Sequence, residues 1–512
     1  MRPAEECGCI REESLNATLR GTVRYPHLFI GGEWVAPEDG GMLDSIDPAT
    51  GRPWASVAYG GRKDIDKAVA AARAALDGPW GRMPGHERAA LLYRLADIYQ
   101  KRAPELTLLE ARDSGRALRE TRGDIGAHAN WYRWFASLED KIWGRTIPMD
   151  DSVHIYTSRL PVGVVGAITP WNAPMLTTSW KLGPALATGC TVVLKPAEQT
   201  PVTALELAKM IEEAGFPPGV VNVVPGYGKD GAGEHLVAHP GVDKIAFTGE
   251  GATAKAILKT GADTLKRFSF ELGGKSPHII FADADVEQAL NAATSSAWAV
   301  CGQSCALGSR VLVERQVYDR VVEAFAARAA KVRVGMPLDE ATHMGPQSSD
   351  EQLRKTLSYV DLGQAEGAQL VTGGKRITSE GFADGYFVQP TVFAGVSNQM
   401  RIAREEIFGP VASLIPFDGE EQAVAIANDT NYGLTAGLWS RDLGRAHRVA
   451  AKIRAGIVWV NTYRYIRWTT PYGGFKASGW GRENGVEALD SYLETRTTVV
   501  STTGQFPDAY AN

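Results

Sequence analysis

Cys301 and Cys305 stand four residues apart in CGQSC, ahead of ALGSR and the apolar run VLVE. Such a pair could be a set of metal ligands, a disulfide, or a nucleophile with a spare thiol beside it. A metal site needs further cysteine, histidine or carboxylate ligands at short spacing. His235 and His239 have i, i+4 spacing in HLVAH, but neither an HExxH pattern nor a cysteine cluster joins them. They read as helix-surface residues, and no metal is expected. Cys7 and Cys9 sit in a short polar tail without other ligands nearby. Five cysteines in 512 residues do not build a disulfide framework, and the odd count leaves at least one thiol free. That usage suits a reducing, cytoplasmic compartment. A reactive thiolate stays open, against the alternative of an inert buried cysteine.

The chain must supply elements that position such a group. At 512 residues it exceeds the roughly 250–300 at which single cores stop growing, so at least two domains are expected. Hydrophobic residues make up 44% and charged residues 22%, as in a soluble globular protein. The net charge of −5 comes without a Lys/Arg block, so neither nucleic acid nor a membrane surface is an expected partner. No stretch reaches the ~18–20 apolar residues of a membrane span, and the first residues lack the apolar core of a secretory signal. DIDKAVAAARAAL from Asp64, with Asp64 as N-cap, and HERAALLYRLADIYQKRAPEL from His86 carry helical spacing, so the first part of the chain reads as largely helical.

From Gly163 short β-branched runs alternate with helix-like segments: GVVGAIT, TVVLK, GVVNVV, KIAFT and RFSF. This is the signature of a parallel sheet covered on both faces, with ligands bound beyond the carboxyl ends of the strands. Those ends carry Trp171-Asn172, Lys195 to Glu198, Gly226 to Gly228, Thr248 to Gly251 and Glu271 to Gly274. A second alternating region runs from HIIFADADVEQAL through SRVLVE, FVQPTVF and GIVWVN, and CGQSC lies inside it. Strand-like pieces DDSVHIYTSRL and RTTVVST flank the domains and suggest an intersubunit sheet. GYGKDG at 226–231 fits the G-x-G-x-x-G dinucleotide pattern, and the turn in FTGEGATAKAI competes with it as a phosphate cradle.

Taken in order, TPWNAP, LKPAEQTP, FTGEG, FELGGKSP, GQSCALGSR, EEIFGP and PYGGFKASGWGRENG closely resemble the NAD(P)-dependent aldehyde dehydrogenase superfamily, from about Leu28 to Thr503. The resemblance implies a Rossmann-like parallel-sheet cofactor domain (27–142 and 161–272), a second α/β catalytic domain (273–480) and a small β oligomerisation flap (143–160 and 490–512). Residues 1–26 form a tail, and the assembly is a homodimer or homotetramer. It makes Cys305 the nucleophile of G-Q-x-C and leaves Cys301 outside the pattern, as a structural cysteine or the partner in a reversible disulfide. It makes Glu271 the general base that activates water, and Asn172 an oxyanion donor.

Lys195 and Glu198 become adenine-ribose contacts, with Glu198 favouring NAD over NADP because a carboxylate repels a 2′-phosphate. Trp171, Thr248, Gly249 and Leu272 join them around the cofactor, with Glu406 at the nicotinamide ribose and Phe408 beside the ring. Two positions depart from the family: Glu250 where a small hydroxyl residue is usual, and Ala254 where a glycine is usual. The loop from Asn461 borders the aldehyde entrance and carries Arg464 and Arg467, which suit a carboxylated or aromatic aldehyde and disfavour a quaternary ammonium one. Trp180 and Tyr472 are further substrate contacts, and the small Ala173 and Thr177 leave the pocket roomy. The reaction so implied is oxidation of a small-molecule aldehyde to its acid with NAD and water. A coenzyme A-acylating semialdehyde dehydrogenase and a non-catalytic binding protein on the same fold are the alternatives.

Overall fold

Five strands beyond Gly163 run parallel in the order Arg267–Glu271, Lys244–Thr248, Val164–Ile168, Thr191–Lys195 and Val221–Val223. The central three are buried along almost their whole length, which is why their sequences are β-branched and nearly without alternation. Leu28–Ile30, Glu33–Val35 and Gly479–Trp480 add antiparallel strands at the edges and complete an eight-stranded sheet. From Val164–Ile168 the chain steps to one side for the next two strands, then crosses to the other side for Lys244–Thr248 and Arg267–Glu271. The reversal leaves a crevice between the carboxyl ends of Val164–Ile168 and Lys244–Thr248, where an open α/β sheet takes its ligand.

The computed structural model describes residues 22–506 and 508–510. Cys7 and Cys9 lie outside the described residues. A second, seven-stranded sheet has Pro277–Ile280 near its centre, flanked by Arg310–Glu314 and Thr435–Trp439. It is parallel except for Gln369–Thr372 at one edge. Val153–Pro161 pairs antiparallel with Thr146–Ile147 and with all of Leu493–Ser501 in a separate three-stranded sheet. The architecture is therefore α/β with two parallel-sheet layers and a small antiparallel flap, as the sequence indicates. Among the described residues no helix is long and apolar enough to cross a membrane.

Two local expectations are corrected. The first part of the chain is not largely helical from its start: Val23–Tyr25, Gly41–Asp47 and Arg52–Tyr59 form a three-stranded sheet before the helices Arg62–Asp77, Gly85–Ser114 and Leu118–Ala136. Asp64 is not an N-cap either. It is the third helical residue, and its carboxylate reaches back to accept from the backbone N–H of Gly61, the residue that caps the helix.

Asp113 joins three of these parts. Its carboxylate accepts from the Ser45 hydroxyl at 2.5 Å, from the Trp54 indole at 3.1 Å and from the backbone N–H of Val202 at 3.2 Å. The N-terminal sheet, the long helix and the start of helix Val202–Ala214 thus share one buried acceptor. Asp113→Ala should leave buried donors unsatisfied at a cost of about 2–4 kcal/mol. A thermal unfolding scan should show the midpoint lowered by several degrees, and an unchanged midpoint would mean that the network relaxes without it.

Candidate active site

The crevice opens into a cavity of about 560 Å³ that both large sheets line. The first sheet contributes Trp171 and Asn172, in the turn between Val164–Ile168 and helix Pro174–Thr188, together with Thr248, Gly249 and Glu271. Thr248 and Glu271 are register partners on adjacent strands, so Glu271 emerges beside the crevice. Cys305 arrives from the other sheet, on the loop that leads into Arg310–Glu314.

That loop is held firmly. Val300 and Cys301 adopt left-handed φ values of 53° and 57°, which β-branched and bulky residues rarely hold without tertiary support. The support is visible. Glu120 accepts from the Val300 N–H, Gln347 donates to the Cys301 carbonyl at 2.8 Å, and the Gln303 side chain accepts from the Ser348 N–H at 2.9 Å. Asn172 donates to the Gln303 carbonyl at 2.8 Å, linking the two halves of the site. Glycines at 273 and 274 are demanded by close approach. A Cβ on Gly273 would fall 2.1 Å from the Glu406 carboxylate, and one on Gly274 would fall 2.5 Å from the Cys305 carbonyl.

Burial dominates the electrostatics. It pushes the Cys305 thiol up to about 11; the Tyr472 hydroxyl, 3.3 Å from Sγ, pulls the value down, while Glu406 and Glu271 add to the rise. Glu271 is held well above the usual carboxylate range, first by burial and then by Glu483, and its Oε2 has no hydrogen-bond partner. Glu406 accepts from the Gly274 N–H at 2.9 Å and is pushed up to about 7 by burial. Behind Glu271 the buried ammonium of Lys181 donates to Thr248 and to Glu483, both at 2.7 Å. The arrangement can hold a thiol, a carboxylic base and an amide donor around one reacting carbon, away from bulk water.

Most of the residues singled out in the sequence meet at this cavity. Trp171, Thr248, Gly249, Leu272, Glu406 and Phe408 line it with Trp180, Tyr472, Ala173, Thr177 and Arg464. The Phe408 ring packs edge-on to Trp171 at 5.3 Å, and Gln352 fixes its backbone by donating to the carbonyls of Ile407 and Phe408. Lys195 and Glu198 pair with each other at 3.0 Å and do not line the main cavity. Glu198 faces an adjoining space of about 190 Å³ that shares Gln199 and Ser349 with it. Of the two glycine turns, Thr248–Glu250 lines the main cavity, whereas the 226–231 loop contributes only Tyr227, and to the smaller space. Glu250 is exposed and caps helix Gly251–Gly261 without a side-chain bond, while Ala254 is buried.

Arg467 is a correction. It is exposed, its guanidinium lies 4.4 Å from the Tyr465 ring centroid, and it donates to the Ile466 carbonyl, so it is a surface residue rather than a cavity contact. Cys301 is a free thiol in the same core cluster as Trp298 and Phe325, directed toward the Gly115 carbonyl, and Cys305 is free as well. His239 accepts from the Gly241 N–H and faces Asp66 at 3.4 Å. Among the described residues no group of three or more side chains could hold a metal. A second cavity of about 600 Å³, near Arg333 and Gln389, is lined by no cysteine, histidine or glutamate. The sequence reading missed Lys181, Glu483, Gln303 and Asp124. A lone lysine inside TTSWKLGPALA is a signal that could have found the first of them.

The sequence of residues 34–498 matches the aldehyde dehydrogenase family. The chain is 45% identical over 482 residues to aldehyde dehydrogenase 1A1 of Mus musculus, covering 93% of this chain and 95% of that one. Among solved structures, the NAD⁺ complex of an aldehyde dehydrogenase from Bacillus cereus superposes with a TM-score of 0.92 at 45% identity, over 96% of this chain and 99% of that one. Betaine aldehyde dehydrogenase from Staphylococcus aureus, also in complex with NAD⁺, gives a TM-score of 0.93 at 38% identity, over 95% and 97%.

The Tyr472 contact makes a test that requires no turnover. Loss of one hydrogen bond to the thiolate in Tyr472→Phe should slow alkylation of Cys305 by iodoacetamide about 2- to 10-fold at pH 8. In the unaltered protein the rate should climb with pH toward about 11, because burial holds the thiol protonated below that value. A rate insensitive to both would remove Tyr472 from the site.

Proposed function

This chain belongs to the aldehyde dehydrogenase family and oxidises aldehydes with NAD, and we propose that it does so through a thioester on Cys305 that water releases. The observation that carries the proposal is the convergence of Cys305, Glu271 and Asn172, drawn from two different sheets, on one cavity.

The Cys305 thiolate adds to the aldehyde carbon, forming a C–S bond while the carbonyl electron pair becomes an alkoxide. Asn172 Nδ2 and the backbone N–H of Cys305 are the donors for that oxyanion; each such donor is worth about 2.7–4 kcal/mol in the transition state. Collapse of the alkoxide expels a hydride and leaves the thioester. NAD supplies the acceptor for that hydride. Glu271 then takes a proton from water, the resulting hydroxide oxygen bonds to the thioester carbon, and the C–S bond breaks to free the acid and Cys305. Aldehyde, NAD⁺ and water thus become acid, NADH and a proton. The buried carboxylic base supports water rather than coenzyme A as the final nucleophile.

The donor set suits a dinucleotide. Glu198, oriented by Lys195, and Glu406 offer carboxylates to ribose diols, and Phe408 with Trp171 supplies a flat apolar wall. Thr248, Gly249 and Leu272 complete the surround, and the negative charge of Glu198 disfavours a 2′-phosphate. The flap sheet leaves Val499 and Val500 exposed at 59% and 46%, which supports its assignment as the interface of a homodimer or homotetramer. Free thiols at Cys190, Cys301 and Cys305 support a cytoplasmic location.

Glu271→Gln should give a burst of about one NADH per site followed by near-arrest, because acylation proceeds while hydrolysis lacks its base. In the unaltered enzyme steady-state turnover should fall as pH drops, since the raised Glu271 carboxyl is then protonated and cannot accept from water. Cys305→Ala should abolish NADH formation and retain NAD binding, whereas Cys301→Ala should keep most activity. Steady turnover by Cys305→Ala would end the assignment.

A further inference from the structure

Arg464 is the one cation of the entrance loop that reaches the cavity of Cys305. Its φ of +56° is a left-handed conformation that an arginine adopts only when its surroundings impose it. They do so on both sides. The Tyr463 ring stacks on His278 at 4.7 Å and contacts Trp459 at 4.8 Å, the Trp459 indole donates to the Tyr465 carbonyl at 3.2 Å, and Trp468 packs on Trp131 at 5.5 Å. The loop is pinned so that residue 464 faces inward while Arg467 stays on the surface.

The guanidinium of Arg464 has no hydrogen bond or ion pair among the described residues. The carboxylates that feel its charge are those of Glu120 and of Asp124, which lines the same cavity, and each has another partner. Glu120 accepts from the Val300 N–H with its two oxygens at 3.1 and 3.0 Å, and Asp124 is bonded to Arg116. Leu176, Trp180 and Ile466 supply apolar wall, and Tyr472 bonds to the sulfur. The cavity therefore has a nucleophile, an apolar stretch and a set of forked donors with no protein partner.

We propose that Arg464 forms an anion subsite and that the substrate is an aldehyde carrying a remote carboxylate, its carbon chain lying along the apolar wall between the two groups. The inference rests on Cys305 being the nucleophile. A planar guanidinium matches a carboxylate with two parallel hydrogen bonds, which favours the acid over its uncharged ester. A cationic aldehyde would be repelled by the same group.

The test compares kcat/KM for 4-oxobutanoate and 6-oxohexanoate with that for the methyl ester of each. The better-fitting acid should exceed its ester by about 10- to 150-fold, mostly through KM, and added salt should shrink the ratio. Arg464→Gln should bring the ratio to within about 3-fold of unity on loss of the charged pair. Arg464→Gly, whose backbone accepts a positive φ without strain, should do the same and so separate the effect from misfolding. Arg467→Gln should leave the ratio intact. Equal kcat/KM for both acid–ester pairs in the unaltered enzyme, or a ratio that survives both Arg464 substitutions, overturns the subsite while the oxidation stands. If no aldehyde yields NADH, neutral propanal and benzaldehyde included, the reaction and the subsite fall together.

Discussion

A single buried cation underlies the geometry of the site. Lys181 is wholly inaccessible, yet it sits on a helix whose other buried residues are uncharged. An unpaired ammonium there would be prohibitive, and Glu483 and Thr248 are what make it tolerable. Those three residues come from helix Pro174–Thr188, from the end of strand Lys244–Thr248 and from the chain beyond Gly479–Trp480. Their separation in sequence means that the contact forms only when the edge strand is seated, and Gly479–Trp480 seats by pairing with Arg267–Glu271. The strand that carries Glu271 is thereby fixed from both sides.

The same cluster sets the proton affinity of Glu271. Glu483 is a negative charge close to a carboxyl already stripped of water, and both effects favour the neutral acid. Lys181 opposes them without cancelling them. The site thus holds a carboxyl of raised proton affinity, which once ionised suits the proposed role of a base acting on water. The crossing between the halves is made by small contacts: Asn172 on the Gln303 carbonyl, and the Gly273–Gly274 backbone against Glu406 and the Cys305 carbonyl.

How much of this could be read in the sequence depended on whether the information was local. Glu271 and Asn172 could be placed at the cavity because each sits in a short motif whose glycines or prolines mark a strand end, and Cys305 because G-Q-x-C stands just ahead of the apolar strand Arg310–Glu314. The parallel strands were legible because a strand buried on both faces has to be apolar throughout. Asp64 was misplaced because an aspartate serves equally at the cap or two to three residues inside it, and the choice falls to Gly61, which has no side chain to announce itself. The sheet over Val23–Tyr59 went unseen because Gly41–Asp47 and Arg52–Tyr59 carry Asp, Ser, Pro and Ala where a β-branched run would announce a strand, and Val23–Tyr25 is only three residues long. GYGKDG satisfied a pattern, but the cavity formed at FTGEG because the strand order reverses next to Lys244–Thr248, and strand order is a property of the assembled sheet. Arg464 and Arg467 were indistinguishable for the same reason, since an aperiodic loop does not declare its inner face.

A charged Glu271 raises the proton affinity of Cys305, so the site resists carrying a thiolate and a carboxylate together. In the proposed reaction that repulsion separates the two halves of the chemistry. While the nucleophile is being generated, a neutral Glu271 costs least, and the Tyr472 hydroxyl is the group placed to favour the thiolate. On that proposal an acylated sulfur carries no negative charge, so no thiolate opposes a carboxylate at Glu271 when water is to be activated. Glu406, pushed up to about 7 by burial, adds to the pressure on the thiol, so whatever neutralises or bonds that carboxylate also eases formation of the nucleophile. Binding at the Glu406 end of the cavity and reactivity at Cys305 are thereby linked through charge.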